Sequence, residues 1–158
     1  DDIRIALVGQ GREKDHLKWR AQAENLDNVL FLDPVSKTRL TGLMAGADIG
    51  LQVLRNVPAF YYGTSPNKFF DYIAAGLPVL NNYPGWLAEL ISEHDCGFAV
   101  PPDTPEAFAD ALVAAAEDRA RLCRMAGNAR SLAEEKFARG ILSAQWVSWV
   151  TGVTTPSR

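Results

Sequence analysis

The sequence is poor in the groups from which metal and redox sites are built. It holds two cysteines, Cys96 and Cys123, and two histidines, His16 and His94, in 158 residues. Neither a CxxC pair nor an HExxH spacing occurs, so no thiol redox motif and no metal site is expected. Both cysteines read as small buried residues in a reducing compartment, and both histidines, set among charged neighbours, as solvated. No apolar run is long enough to cross a bilayer, and no basic–apolar leader is visible. An excess of positive charge is lacking too. Sixteen Lys and Arg against 19 Asp and Glu leave a formal net charge of −3, which argues against a nucleic-acid partner. An anionic small ligand remains open, because helix N-termini bind anions without net positive charge. Repeats, low-complexity tracts and Gly/Ser linkers are also missing. What is present, 47% hydrophobic and 22% charged residues, is the composition of one globular domain over residues 1–158, with enough chain to bury a core.

Along the chain, strand-like and helix-like segments alternate. Strands are expected at Ile3–Val8, Asn28–Leu32, Ala47–Leu54, Leu77–Leu80 and Gly97–Val100. Between them lie helices at about 12–24, from Ser36 onward, from Ser65-Pro66 to Gly76, and at 85–92. In the first, Leu17 and Ala21 share one side and Arg12, Glu13, Lys14 and Lys18 face solvent. Ser36 reads as an N-cap. Ser65-Pro66 and Thr104-Pro105 read as cap followed by proline at the first helical position, and Gly76 as a left-handed C-cap. Three further helices carry Phe108, Leu112 and Val113; Leu122, Met125, Ala129 and Leu132; and Trp146 and Trp149. The tail from Thr154 reads as frayed. This order predicts an α/β fold, a Rossmann-like parallel sheet of about five strands with helices on both faces and extra helices at the C-terminus.

Ligands of such sheets bind outside the carboxyl ends of the strands. That rule nominates the loops Gly9–Gly11, Asp33–Ser36, Arg55–Ser65, Asn81–Gly85 and Pro101–Thr104. Gly9-Gln10-Gly11 alone is a weak signal, and Lys14 stands where a dinucleotide fingerprint wants its third glycine. The helix opening near Ser65 is more specific. Its first turn offers free N–H groups and the positive end of the helix dipole, which suit a phosphate. Lys68 adds a positive charge there. Asn67 and Asp71 share a helix face, while Phe70, Ile73 and Ala74 form the apolar one. A carboxylate one turn behind a phosphate site is placed to accept bonds from two ribose hydroxyls. A plain surface pair between Lys68 and Asp71 is the competing reading.

The run Asn67-Lys68-Phe69-Phe70-Asp71-Tyr72-Ile73-Ala74-Ala75-Gly76-Leu77-Pro78-Val79 resembles the donor-site helix and strand of the group 1, or family 4, retaining glycosyltransferases of GT-B fold. Leu7-Val8-Gly9-Gln10-Gly11 is similar to that family's Gly-x-Gly turn. Asn28–Val35 is similar to its N-V-x-F-x-G strand, with Asp33 where glycine is usual. Ala47–Leu51 and Gly97–Pro102 resemble two more of its strands. The resemblance runs from about Ile3 to Val150 and implies the C-terminal, donor-binding domain, without the N-terminal acceptor domain. The family's E-x7-E pattern falls on Gly63 and Asp71. Asp71 thereby inherits the ribose contact, while the sugar contact moves from Gly63 to Thr64, Ser65 or Asn67. Backbone groups at Pro34 and Val35 would meet the base, and those of Ser65, Pro66, Asn67 and Lys68 the diphosphate, beside Gly9 and Gly11. No metal or other cofactor is implied.

The resemblance further implies a UDP-sugar donor, hexosyl or N-acetylhexosaminyl transfer, and a role in bacterial polysaccharide or lipopolysaccharide biosynthesis. It also implies a saccharide or lipid-linked saccharide acceptor held by the other domain, and a cytoplasmic location at the inner face of the membrane. The family's first C-terminal strand–helix unit, whose basic residues neutralise the diphosphate, has no counterpart here. Residues 1–158 alone are therefore expected to bind nucleotide weakly and to transfer no sugar. Three other readings compete: a GT-B-like nucleotide-sugar epimerase, a non-enzymatic Rossmann-like binding module, and a dehydrogenase domain, the last disfavoured by Lys14. Trp146 and Trp149 are expected to pack on the sheet or on the partner domain. Trp86 reads as core or rim packing, with contact to a sugar as the alternative, and Glu89 as solvated.

Overall fold

The computed structural model describes residues 3–154. Asp1, Asp2 and 155–158, including most of the tail read as frayed, lie outside the described residues. Strand and helix alternate in the expected order: β1 (Ile5–Val8), α1 (Lys14–Ala23), β2 (Val29–Leu32), α2 (Lys37–Ala45), β3 (Gly50–Gln52), α3 (Asn67–Ala74), β4 (Val79–Asn81), α4 (Trp86–Glu93) and β5 (Gly97–Ala99). The helices α5 (Pro105–Glu117), α6 (Arg119–Lys136) and α7 (Arg139–Thr154) close the chain.

All five strands are parallel, and their hydrogen bonds group them as β1–β2 and β3–β4–β5. Ile5 pairs with Val29 in the first group. In the second, Gly50 pairs with Val79 and Val79 with Gly97. The core lies on the second group, where Phe69, Ile73, Val79, Leu87 and Ile91 are fully buried. β4, between two neighbours, is buried throughout. β1 and β2 are uninterrupted apolar runs, the pattern of strands covered on both faces. Yet Leu7, Val8, Leu30 and Leu32 are exposed. Each of these strands has one partner, and α1 is the helix that lies against β2. Leu17, expected on the covered side of α1, is exposed as well.

Local chemistry accounts for the helix ends. The Ser36 Oγ accepts the Arg39 N–H, as its capping position requires. At the end of α3 the Leu77 N–H donates to the Tyr72 carbonyl and the Gly76 N–H to that of Ile73. This is a Schellman closure, with Gly76 left-handed at φ +72°. The start of α3 differs from expectation. Pro66, extended at ψ 125°, is the N-cap, Asn67 is the first helical residue, and no side chain caps the helix. A residue preceding proline avoids the helical region, so Ser65 stays outside the turn. Thr104 is the N-cap of α5 with Pro105 at the first helical position, as expected, but its hydroxyl donates to the Pro102 carbonyl and makes no capping bond. On α3 the buried pair is Phe69 and Ile73, with Ala74 exposed. α6 packs on α3 and β5 and sends Arg130 to the Ala74 carbonyl.

Trp146 and Trp149 do not pack on a sheet. They are 64% and 66% exposed on α7, which lies against α6. Apolar residues surround that helix on every side, so no single stripe commits it to a surface. The cysteines also divide. Cys96 is buried and Cys123 exposed, contrary to the reading of both as buried. Burial pushes the Cys96 thiol up to about 11. Iodoacetamide at neutral pH is expected to alkylate Cys123 and spare Cys96 in the folded protein, as peptide mass spectrometry would read. Modification of both at equal rates would contradict this packing.

Candidate functional site

The sequence-nominated residues fall into two groups at strand carboxyl ends. Among the described residues no hydrogen bond or ion pair joins one group to the other.

The first group follows β1 and β2. Gly9 and Gly11 border open space, with no atom within 4 Å of an added Cβ. The Gly9 N–H donates to the Leu32 carbonyl across the strand pair at 3.2 Å. Pro34 is exposed and Val35 half-buried in the next loop. Lys14 is not in solvent, as amphipathic periodicity implies, but 8% exposed. Its ammonium donates to the carbonyls of Gly9 and Leu32 and to Asp33 Oδ1 at 2.8–2.9 Å. That contact holds the Asp33 carboxyl below the ordinary aspartate range.

The second group surrounds the N-terminus of α3. Gly63 and Ser65 are exposed, Thr64 and Pro66 half-buried, and Asn67 opens the helix in solvent. Lys68 and Asp71 are half-buried, and neither forms an ion pair among the described residues. The surface-pair reading is thereby removed. Partial desolvation pulls the Lys68 ammonium below the ordinary lysine value. Lys68 thus brings a part-desolvated positive charge to the first turn of α3, the end of a helix where the dipole is positive.

Contacts that local sequence does not encode hold this loop in place. Trp86 Nε1 donates to the Thr64 carbonyl at 2.8 Å. Its ring packs against Phe69 and Phe70, so the packing reading of Trp86 holds. Tyr62 donates to Glu89 at 2.6 Å, which gives Glu89 a partner and raises the tyrosine's pKa. Tyr61 donates to Asn56, and Asn56 donates to Asp103 at 2.6 Å, linking the loops after β3 and β5. A cavity of about 300 Å³ opens between Val53, Asn82, Asp103 and Phe108 at the same strand ends.

Gln52 and Asn81, cross-strand partners closing β3 and β4, are fully buried. Gln52 donates to the Tyr83 hydroxyl and Asn81 to the Tyr83 carbonyl. Their side-chain amide oxygens, Gln52 Oε1 and Asn81 Oδ1, have no hydrogen-bond partner among the described residues. Amides ending two apolar strands were the available signal for this polar floor, and sequence reasoning missed it.

Three comparisons bear on these features. Residues 1–118 match the model of the family described as glycosyl transferases group 1. Among curated proteins none matches the chain. Among solved structures, the chain is similar to WaaG, titled a glycosyltransferase involved in lipopolysaccharide biosynthesis, at 27% identity and a TM-score of 0.66 over 85% of this chain and 34% of that one. It is similar to sucrose-phosphate synthase from Thermosynechococcus elongatus at 22% identity and a TM-score of 0.79, covering 98% of this chain and 39% of that one. It is similar to Anabaena Alr3699/HepE, solved with UDP-glucose, at 20% identity and a TM-score of 0.73, covering 94% and 41%. The chain thus spans well under half the length of the structures it matches. The last two likenesses establish the fold, the Rossmann-like half shared by those enzymes.

Proposed function

The chain belongs to the group 1 glycosyl transferases, and from that membership we propose that it binds the nucleoside-diphosphate part of a sugar donor, a UDP-sugar before others. The observation that carries the reading is the pair Lys68 and Asp71. Both are half-buried and, among the described residues, without ionic partners, one turn apart in the first half of α3. The diphosphate lies against the first-turn N–H groups and Lys68. Asp71 accepts the ribose hydroxyls, and the backbone of Pro34 and Val35 meets the base. Thr64, Ser65 and Asn67 are the side chains left for the sugar, because Gly63 offers none.

In the full enzyme this domain is the donor half of a retaining transferase that moves a hexosyl or N-acetylhexosaminyl group to a saccharide or lipid-linked saccharide. The acceptor is held by a second domain, and no metal takes part. The likeness to WaaG supports a role in lipopolysaccharide or related polysaccharide synthesis, on the cytoplasmic side of the membrane. Among the described residues no helix is long and apolar enough to cross that membrane. Residues 1–158 form one domain that transfers no sugar by itself, since the developing charge on the leaving diphosphate needs more cationic neutralisation than Lys68 supplies.

Calorimetric titration of the full-length protein with UDP, GDP and NAD tests the reading. Saturable UDP binding that weakens about tenfold or more in Asp71→Ala, the loss of a bidentate charge-assisted contact, is the expected result. NAD binding without UDP binding would replace this reading with the dehydrogenase one, and sugar transfer by residues 1–158 alone would overturn the claim of inactivity.

A further inference from the structure

Lys14 is buried and cationic, and the donor chemistry above leaves it without a task. An ammonium has three N–H donors, and each is used: on the Gly9 carbonyl at 2.8 Å, the Leu32 carbonyl at 2.9 Å and Asp33 Oδ1 at 2.9 Å. With every donor committed, Lys14 is not available to a phosphate. Its three acceptors lie where β1 and β2 give way to their loops. One side chain from the first turn of α1 therefore sets the spacing of the two loops that flank this part of the crevice. Among the described residues Asp33 forms no other side-chain hydrogen bond or ion pair, and its side chain is 90% exposed. It immediately precedes Pro34, which has no N–H to donate. Lys14 is thus the side-chain tie on the loop that leads into Pro34 and Val35.

We infer that Lys14 is a positioning residue for base recognition: through Asp33 it fixes the path of Pro34 and Val35, and so sets which nucleobase the site prefers. The inference rests on the donor-site reading above. A lysine that merely stapled the strands would affect all ligands alike. One that orients the base loop affects the ranking of bases and leaves a base-free diphosphate untouched.

The full-length protein, Lys14→Met, Asp33→Asn and the double variant are titrated with UDP, GDP, ADP and inorganic pyrophosphate, and their melting temperatures recorded. Asp33→Asn, at an exposed side chain, keeps the test alive where Lys14→Met fails to fold. The expected result is a wild type that ranks the three nucleotides clearly. In each single variant UDP binds several-fold more weakly, because the base loop must be ordered on binding and not beforehand. The three affinities draw together and pyrophosphate binding is unchanged. The double variant is no worse than Lys14→Met, because the two residues act as one unit. Variants that melt earlier but keep the wild-type ranking would overturn the inference, as would a wild type that binds the three nucleotides alike. A wild type that binds none of them would overturn the donor-site reading itself.

Discussion

Gly85→Ala is expected to destabilise the protein more than any other single glycine substitution proposed here. Gly85 sits at φ +112°, a conformation that L side chains avoid, at a cost of about 1–3 kcal/mol. The steric term is larger. A Cβ there would lie 2.1 Å from the Tyr61 carbonyl oxygen and 2.6 Å from its carbon. Both atoms are backbone, so no rotamer change relieves the clash. Tyr61 is itself held, by its N–H on the Pro58 carbonyl, its hydroxyl on Asn56 and its ring stacked on Tyr83. The combined loss is put at about 4 kcal/mol or more, the range of severe single substitutions, against a total of about 5–15 kcal/mol for a domain. Gly127→Ala is the control. Gly127 lies inside α6 with nothing within 4 Å of an added Cβ, and alanine there is expected to stabilise by about 0.5–1 kcal/mol. Urea denaturation of both variants reads the opposite signs. An unchanged midpoint in Gly85→Ala would refute the close approach.

The same contrast separates what the sequence made legible from what it did not. Gly76 was readable because its demand is local: a glycine directly after a helical run, closing α3 by bonds to residues three and five back. The buried face of α6, Leu122, Met125, Ala129 and Leu132, was readable from its helical period. The family resemblance was readable because it is an ordered string of such local signals. Lys14 was not. Its partners lie 5, 18 and 19 residues away, and periodicity assigns a lysine on a charged helix face to water. Tyr62–Glu89, Trp86–Thr64 and Asn56–Asp103 span 22 to 47 residues and were invisible for the same reason. The start of α3 was misjudged by one residue because Ser-Pro is compatible with two cap registers, and the extended conformation of Pro66 selects the later one. The division of the strands into β1–β2 and β3–β4–β5 was also unreadable. Strand pattern reports whether a segment pairs, not which strand it pairs with.

Phe69→Ala is expected to show how far the candidate site depends on the core beneath it. Phe69 is fully buried and meets Phe70 and Trp86 edge-on, with ring centroids at 5.3 and 6.4 Å. Truncating it removes a whole ring from the main cluster, a loss of about 3–5 kcal/mol. Its neighbour in sequence is Lys68, and Asp71 is two residues on, so the anchor and the proposed donor contacts share one turn of α3. Trp86, which the lost ring supports, also holds Thr64. Phe69→Ala should therefore weaken nucleotide binding as well as folding, while Asp71→Ala should change binding with little effect on the melting temperature. A ligand that binds only the native state adds about 2.7 kcal/mol at a hundredfold excess over its Kd. If the site survives the cavity, a UDP concentration that saturates the wild type raises the melting temperature of Phe69→Ala as it does that of wild type. The expected outcome is a clearly smaller rise, because the first turn of α3 has lost the ring that pins it. An equal rise would mean that loop and helix are held by Trp86–Thr64 and Tyr62–Glu89 without help from the core.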